Sequence, residues 1–95
     1  MSEFTVLVSR DHHHVAIGGE IDMATEPALD AALAEVSGEV AVDCTEVSFI
    51  GSSGFSSLDR GYETVLARGG SFEVFGMTTF QQRIAEILSV PYVRS

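Results

Sequence analysis

Gly51-Ser52-Ser53-Gly54 places two hydroxyls between two glycines. The segment follows a strand-like run, Val40-Ala41-Val42-Asp43-Cys44. It precedes a stretch in which Phe55, Leu58, Tyr62, Val65 and Leu66 fall on one helical face. At such a strand-to-helix junction the first backbone N–H groups lack intrahelical acceptors, and the helix dipole presents partial positive charge. A phosphate is stabilised there, and a serine hydroxyl is well placed to be presented to another protein's active site. The plainer role is helix capping, for which serine is a preferred residue.

Asp22 is a second candidate, in Gly19-Glu20-Ile21-Asp22-Met23-Ala24-Thr25, between a strand end and a helix start. By itself an aspartate there forms a turn or caps the helix. In an open α/β sheet, however, function gathers beyond the carboxyl ends of the strands, and both Asp22 and Gly51-Ser52-Ser53-Gly54 belong at that edge. His12-His13-His14 invites a metal reading. In an extended segment only His12 and His14 share a side, and no cysteine or further histidine completes a site, so an exposed hairpin tip is expected and no metal. A serine hydrolase elbow reads Gly-x-Ser-x-Gly, but around Ser53 the last position is Phe55. The histidines available as a base, His12 to His14, belong at the far end of the hairpin. Catalysis is therefore not expected, and nothing calls for a cofactor.

The elements that position these residues follow in order. Phe4, Val6 and Val8 alternate with Thr5, Leu7 and Ser9, and Val15-Ala16-Ile17-Gly18 makes a second strand, joined to the first as a hairpin. Thr25 and Pro27 suit a helix start, Leu29, Ala32, Leu33 and Val36 form its apolar face, and Gly38 is expected to end it. Val40 to Cys44 is the third strand, and Val47-Ser48-Phe49-Ile50 leads into the serine turn. The second helix is expected to reach about Arg68 and stop at Gly69-Gly70. Ser71-Phe72-Glu73-Val74-Phe75 is a fourth strand. Thr79 and Gln82 resemble a capping box opening a third helix, with Phe80, Ile84, Ile87 and Leu88 on one face. Pro91 ends it, leaving a short tail or terminal strand. The order predicts an α/β fold: one domain over residues 1–95, a mixed, mostly parallel sheet of four or five strands with an N-terminal hairpin, and three main helices.

Composition narrows the function. The chain has 95 residues, an apolar fraction of 45% and a charged fraction of 20%, ordinary values for a globular domain. Five arginines, no lysine and fourteen carboxylates give a net charge of −9, which argues against nucleic acid and anionic membrane surfaces as partners. Cys44 is the sole cysteine, so no internal disulfide forms. No apolar run is long enough to span a membrane and the N-terminus has no secretory signal character, so a cytoplasmic protein is expected, with a monomer as its state.

With these residues in place the chain resembles the STAS domain family, shared by sulfate transporters and bacterial anti-sigma factor antagonists. Gly19-Glu20-Ile21-Asp22 with Thr25 is similar to the family's entry to the first helix. Val42-Asp43-Cys44-Thr45-Glu46-Val47-Ser48-Phe49-Ile50-Gly51-Ser52-Ser53-Gly54-Phe55 is similar to its strand and phosphorylation loop. The likeness covers nearly the whole chain. It implies a stand-alone antagonist that binds an anti-sigma factor with serine-kinase activity, is released by phosphorylation at Ser52, and is reset by a serine phosphatase. It places Asp22 beside the acceptor and implies partner contacts by Asp22, Gly51, Ser52, Ser53, Gly54 and Phe55. The family's loop begins Asp-Ser, whereas here Gly51 precedes Ser52, so slower phosphorylation is expected. The chain also lacks the terminal strand and helix of many antagonists. A regulatory or assembly subunit of an ABC-type lipid transport complex, where short endings occur, is the alternative.

Overall fold

A computed structural model describes residues 3–94. Four strands, β1 (Thr5–Val8), β2 (His14–Ile21), β3 (Glu39–Ile50) and β4 (Ser71–Phe75), form one sheet in the order β1-β2-β3-β4. β1 pairs antiparallel with β2 as the expected hairpin, while β2, β3 and β4 run parallel. Past β4, Val93 bridges to Val74 in parallel, a stub of a fifth strand. Three helices complete the fold: α1 (Glu26–Leu33), α2 (Ser52–Ala67) and α3 (Thr79–Ile87). The mixed sheet, the hairpin and the three helices agree with the order read from the sequence.

Period-two alternation builds the core. Val15, Ile17, Val40, Val42, Cys44, Phe72 and Val74 point to one side of the sheet, where they meet Leu29 and Leu33 of α1 and Phe55, Leu58 and Val65 of α2. Burying such side chains contributes about 1.5–3 kcal/mol each relative to exposure. The two helices are also clamped by polar groups: Arg60 on α2 bonds Glu26 and Asp30 on α1, and Ser57 donates to Asp30. Tyr92 closes the other end, packing edge-on against Phe72 and donating its hydroxyl to Asp59. Burial and the neighbouring Asp59 carboxylate both raise the pKa of this phenol.

Several boundaries differ from the sequence expectation. The first helix ends at Leu33, and Gly38 (φ +75°) instead turns the chain into β3, its carbonyl accepting from Ser71 N–H. The second helix does stop at Gly69, as expected, with φ +84°. The capping box of α3 is one residue earlier than expected: Thr78 caps Gln81, because the chain reaches helical geometry at Thr79. The third helix also faces another way. Gln81 and Ala85 are its buried residues; of the face expected from the sequence, Ile84 packs partly against the core, while Phe80, Ile87 and Leu88 are largely exposed. Gln81 turns inward because its amide donates to the Val47 carbonyl, which anchors α3 to the sheet.

β3 is a single twelve-residue strand rather than two pieces. Its pairing with β2 shifts twice, between Ala16 and Gly18 and between Gly19 and Glu20. Both shifts are bulges that add a residue to β3. At the first, Asp43 accepts from the N–H and hydroxyl of Thr45, which satisfies backbone left out of the ladder.

Candidate functional site

β2 and β3 end together. Ile21 pairs with Ile50, and the Gly51 N–H donates to the Ile21 carbonyl at 2.9 Å. Asp22 and Ser52 therefore leave adjacent strands side by side, as the edge argument requires. Gly51 is the extended N-cap residue of α2 (φ −92°, ψ −177°), and its carbonyl accepts from Gly54 and Phe55 N–H. No side chain caps this helix. The N–H groups of Ser52 and Ser53 have no acceptor among the described residues, and they lie at the positive end of the helix dipole.

The candidate residues separate by exposure. Ser52 occupies the first helical position with an exposed side chain; Gly51, Ser53 and Asp22 are half-buried. Gly54 and Phe55 are buried. Phe55, 2% exposed, gives its ring to the core and offers no side chain to a partner. Gly54 is small for an internal reason: a Cβ there would lie 2.6 Å from Ile50 and 2.7 Å from Ile21. Its role is to seat α2 against β2 and β3, which fixes where Ser52 is held. Gly51 differs, since a Cβ there would meet the Phe49 ring at 3.4 Å, an ordinary contact, and its φ suits any residue.

Asp22 holds the β2–α1 turn. Its carboxylate accepts from the N–H of Ala24 at 2.9 Å and of Thr25 at 3.1 Å. Thr25 stands at the N-cap position but bonds backwards, donating to the Glu20 carbonyl and accepting from the Asp22 N–H. The turn is thus built from the Asp-x-x-Thr spacing itself.

Three apolar side chains beside the site escaped the sequence reading. Met23, Phe49 and Phe80 are 81%, 51% and 73% exposed. Phe49 and Phe80 flank a cleft of about 100 Å³ between the end of β3 and the start of α3. Met23 follows Asp22. Water-facing aromatics at the strand end that leads into the serine loop make a surface suited to protein contact. The missed signal was parity: after the second bulge Phe49 falls on the solvent side of β3.

The histidines lie at the opposite end of the sheet. The His12 carbonyl accepts from Ser37 N–H and the His13 carbonyl from Ala41 N–H, while the His13 ring bonds the Ser37 carbonyl at 2.7 Å. They brace the start of β3. Among the described residues no group of three His, Cys, Asp or Glu side chains is placed to hold a metal. Cys44 is fully buried, and burial foremost, with the Asp43 charge next, raises its thiol pKa from 9.0 to about 12, so it is no nucleophile at neutral pH. No helix among the described residues is long and apolar enough to cross a membrane.

The sequence model of a family described as "Mlab, STAS domain" matches residues 5–91, which include the hairpin, the Asp22 turn, the serine loop and all three helices. The chain belongs to the STAS domain family. Solved structures agree on the fold. The anti-sigma factor antagonist SpoIIAA in its unphosphorylated form superposes with a TM-score of 0.72 at 16% identity, covering 98% of this chain and 88% of that one. An anti-sigma factor antagonist from Mycobacterium paratuberculosis gives 0.74 at 26% identity, covering 94% of this STAS chain and 79% of its own. The phosphorylated form of the Bacillus cell fate determinant SpoIIAA gives 0.72 at 16% identity, covering 97% and 89%. No curated protein sequence matches the chain.

Proposed function

We propose that this STAS domain is an anti-sigma factor antagonist, a binding protein rather than an enzyme, switched at Ser52. The observation that carries the reading is the exposed Ser52 hydroxyl on the first residue of α2, at the strand edge it shares with Asp22, with Met23 and Phe49 exposed next to those two loops in sequence. Unphosphorylated, this surface binds an anti-sigma factor that is also a serine kinase. The kinase transfers the γ-phosphoryl group of its ATP to Ser52 Oγ: the new O–P bond forms as the bond to ADP breaks, ADP leaves and the hydroxyl gives up its proton. The product carries about −1.5 to −2 charges where two protein surfaces meet. The Ser52 and Ser53 N–H groups and the helix dipole accommodate that phosphate within the fold, so the cost falls on the complex. A serine phosphatase restores the binding form. The structures similar to this chain include anti-sigma factor antagonists, among them one at 26% identity.

Gly51 favours a second reading. Without the usual aspartate before the acceptor, the domain also suits a part that is never phosphorylated, such as a regulatory or assembly subunit of an ABC-type lipid transport complex.

Wild type, Ser52→Ala and Ser52→Asp used as bait separate the two. Retention of a histidine-kinase-like ATPase by wild type and Ser52→Ala, and at least a ~10-fold weaker hold by Ser52→Asp, is expected from like-charge juxtaposition in an interface. Calorimetric titration measures the affinities, and circular dichroism checks the fold. Equal affinities in folded variants, phosphate on Ser53 instead, or a transporter ATPase as the retained partner would overturn the switch at Ser52.

A further inference from the structure

Both crossover helices pack on one face of the sheet, and the other face carries an apolar trough. Parallel strands are ordinarily covered on both faces, yet here β2, β3 and β4 are parallel with one side open. The register sets the trough out in rows: Leu7 beside Ala16, Ala16 beside Asp43, and Asp43 beside Phe75; the neighbouring row pairs His14 with Ala41. Leu7, 72% exposed, stands on the β1 edge and Phe75, 39% exposed, on β4. Between them the two central strands present Ala16 and Ala41, with His14 and Asp43 as the polar members of the same rows. The resulting cavity is about 270 Å³, lined by apolar side chains with Ser9, His14 and Asp43 among them.

The dimensions name the occupant. Strands lie about 4.8 Å apart, so β1 and β4 are separated by roughly 14 Å. Between the Leu7 and Phe75 side chains that leaves room for one α-helix, about 10 Å across, lying over Ala16 and Ala41 with Asp43 at its border. The charges set its polar side. By the same alternation Glu39 and Asp43 of β3 and Glu73 of β4 project from this face, so carboxylates gather along its β3–β4 side, where Arg94 is paired with Glu73. We infer that this face is a second docking surface, which receives an amphipathic helix of a partner protein with an apolar stripe flanked by lysine or arginine. A second copy of this chain is the poorer occupant, because two such faces brought together oppose carboxylate to carboxylate. The surface is remote from Ser52, at the amino-terminal half of β3, so it does not depend on the switch.

The test uses the full chain and a synthetic peptide of about five helical turns, ~18 residues, with leucines at i, i+3, i+4 and i+7 and lysines on either side. Amide chemical shifts of the isotope-labelled chain should move saturably at Leu7, Ala16, Ala41 and Phe75. A twin peptide with glutamates in place of lysines should bind at least ~10-fold more weakly, and so should the lysine peptide to Ala16→Arg. Leu7→Asp, at an exposed edge position, is a second variant with the same expected loss should Ala16→Arg fail to fold. Absence of saturable binding, shifts confined to the Ser52 end, or undiminished affinity in a folded variant would overturn the inference. So would sedimentation equilibrium showing a dimer that Leu7→Asp dissociates.

Discussion

Replacing Asp22 separates its two possible contributions, the shape of a turn and a negative charge beside Ser52. In Asp22→Ala the N–H groups of Ala24 and Thr25 lose acceptors at 2.9 and 3.1 Å. Ala24 is exposed and water replaces its partner; the half-buried Thr25 N–H falls back on the Asp22 carbonyl at 3.2 Å, while the Thr25 hydroxyl loses its contact to the carboxylate at 3.3 Å. Loss of a capping carboxylate ordinarily costs about 0.5–2 kcal/mol, and two amides with one partly shielded place this site near ~1.5 kcal/mol. That exceeds the loss of under ~1 kcal/mol that a free surface carboxylate would give. Asp22→Asn keeps Oδ1 as an acceptor and removes the charge, so it should stay within about 0.5 kcal/mol of wild type. Urea unfolding by circular dichroism reads both. With a slope near 1.5 kcal/mol per molar, typical of small domains, the alanine midpoint should fall by ~1 M with the slope unchanged. If Asn falls as far as Ala, charge rather than geometry holds the turn. If neither moves, the two hydrogen bonds contribute nothing to stability and the reasoning fails.

Gly51→Asp should fold well, because its Cβ fits and φ is unstrained. It should gain about 0.5–1 kcal/mol in urea unfolding, as a better N-cap and a less flexible unfolded chain, and should be phosphorylated faster by a cognate kinase; an equal rate would make Gly51 neutral. Gly54→Ala drives a methyl to within 2.6 Å of Ile50 and 2.7 Å of Ile21. Overpacking of about 1–3 kcal/mol outweighs a helix-propensity gain of ~1 kcal/mol or less, so a net loss is expected, and unchanged stability would show that α2 can shift. The Cys44 thiol, at 9.0 ordinarily and about 12 in the folded chain, favours its neutral form on folding. The unfolded chain releases that proton first, so this contribution is intact below about pH 9 and is lost as pH rises toward 12. Thiol-reactive dye at pH 8 should therefore label Cys44 only in step with global unfolding; rapid labelling of the native chain would contradict its burial.

The sequence was most legible where one side of an element is fully buried. The hairpin, the parallel order and the edge shared by Asp22 and Ser52 all follow from alternation and glycine placement. It was least legible where parity changes or a polar residue turns inward. Nothing in Asp43-Cys44-Thr45-Glu46 announces a bulge, so the expected strand broke where the real one continues. Gln81 reads as a solvent residue, yet its bond to the Val47 carbonyl rotates α3 and leaves Phe80 and Ile87 in water. Phe55 was placed equally well by its pattern in the core and by its position near a partner, and its 2% exposure assigns the ring to the core.

The two bulges of β3 also set a phase. Inward residues run Val40, Val42, Cys44, then Val47, then Ile50: the first bulge moves the inward set from even to odd positions, and the second moves it back. The strand therefore arrives at Gly51 as though it had never been interrupted, but two residues longer than its neighbour. Deleting one residue from the strand while both bulges stay would turn Phe49 toward the core and Ile50 out, and the helix would begin half a pleat round. The direction in which Ser52 faces is in this sense counted out along the strand, several residues before the loop that carries it.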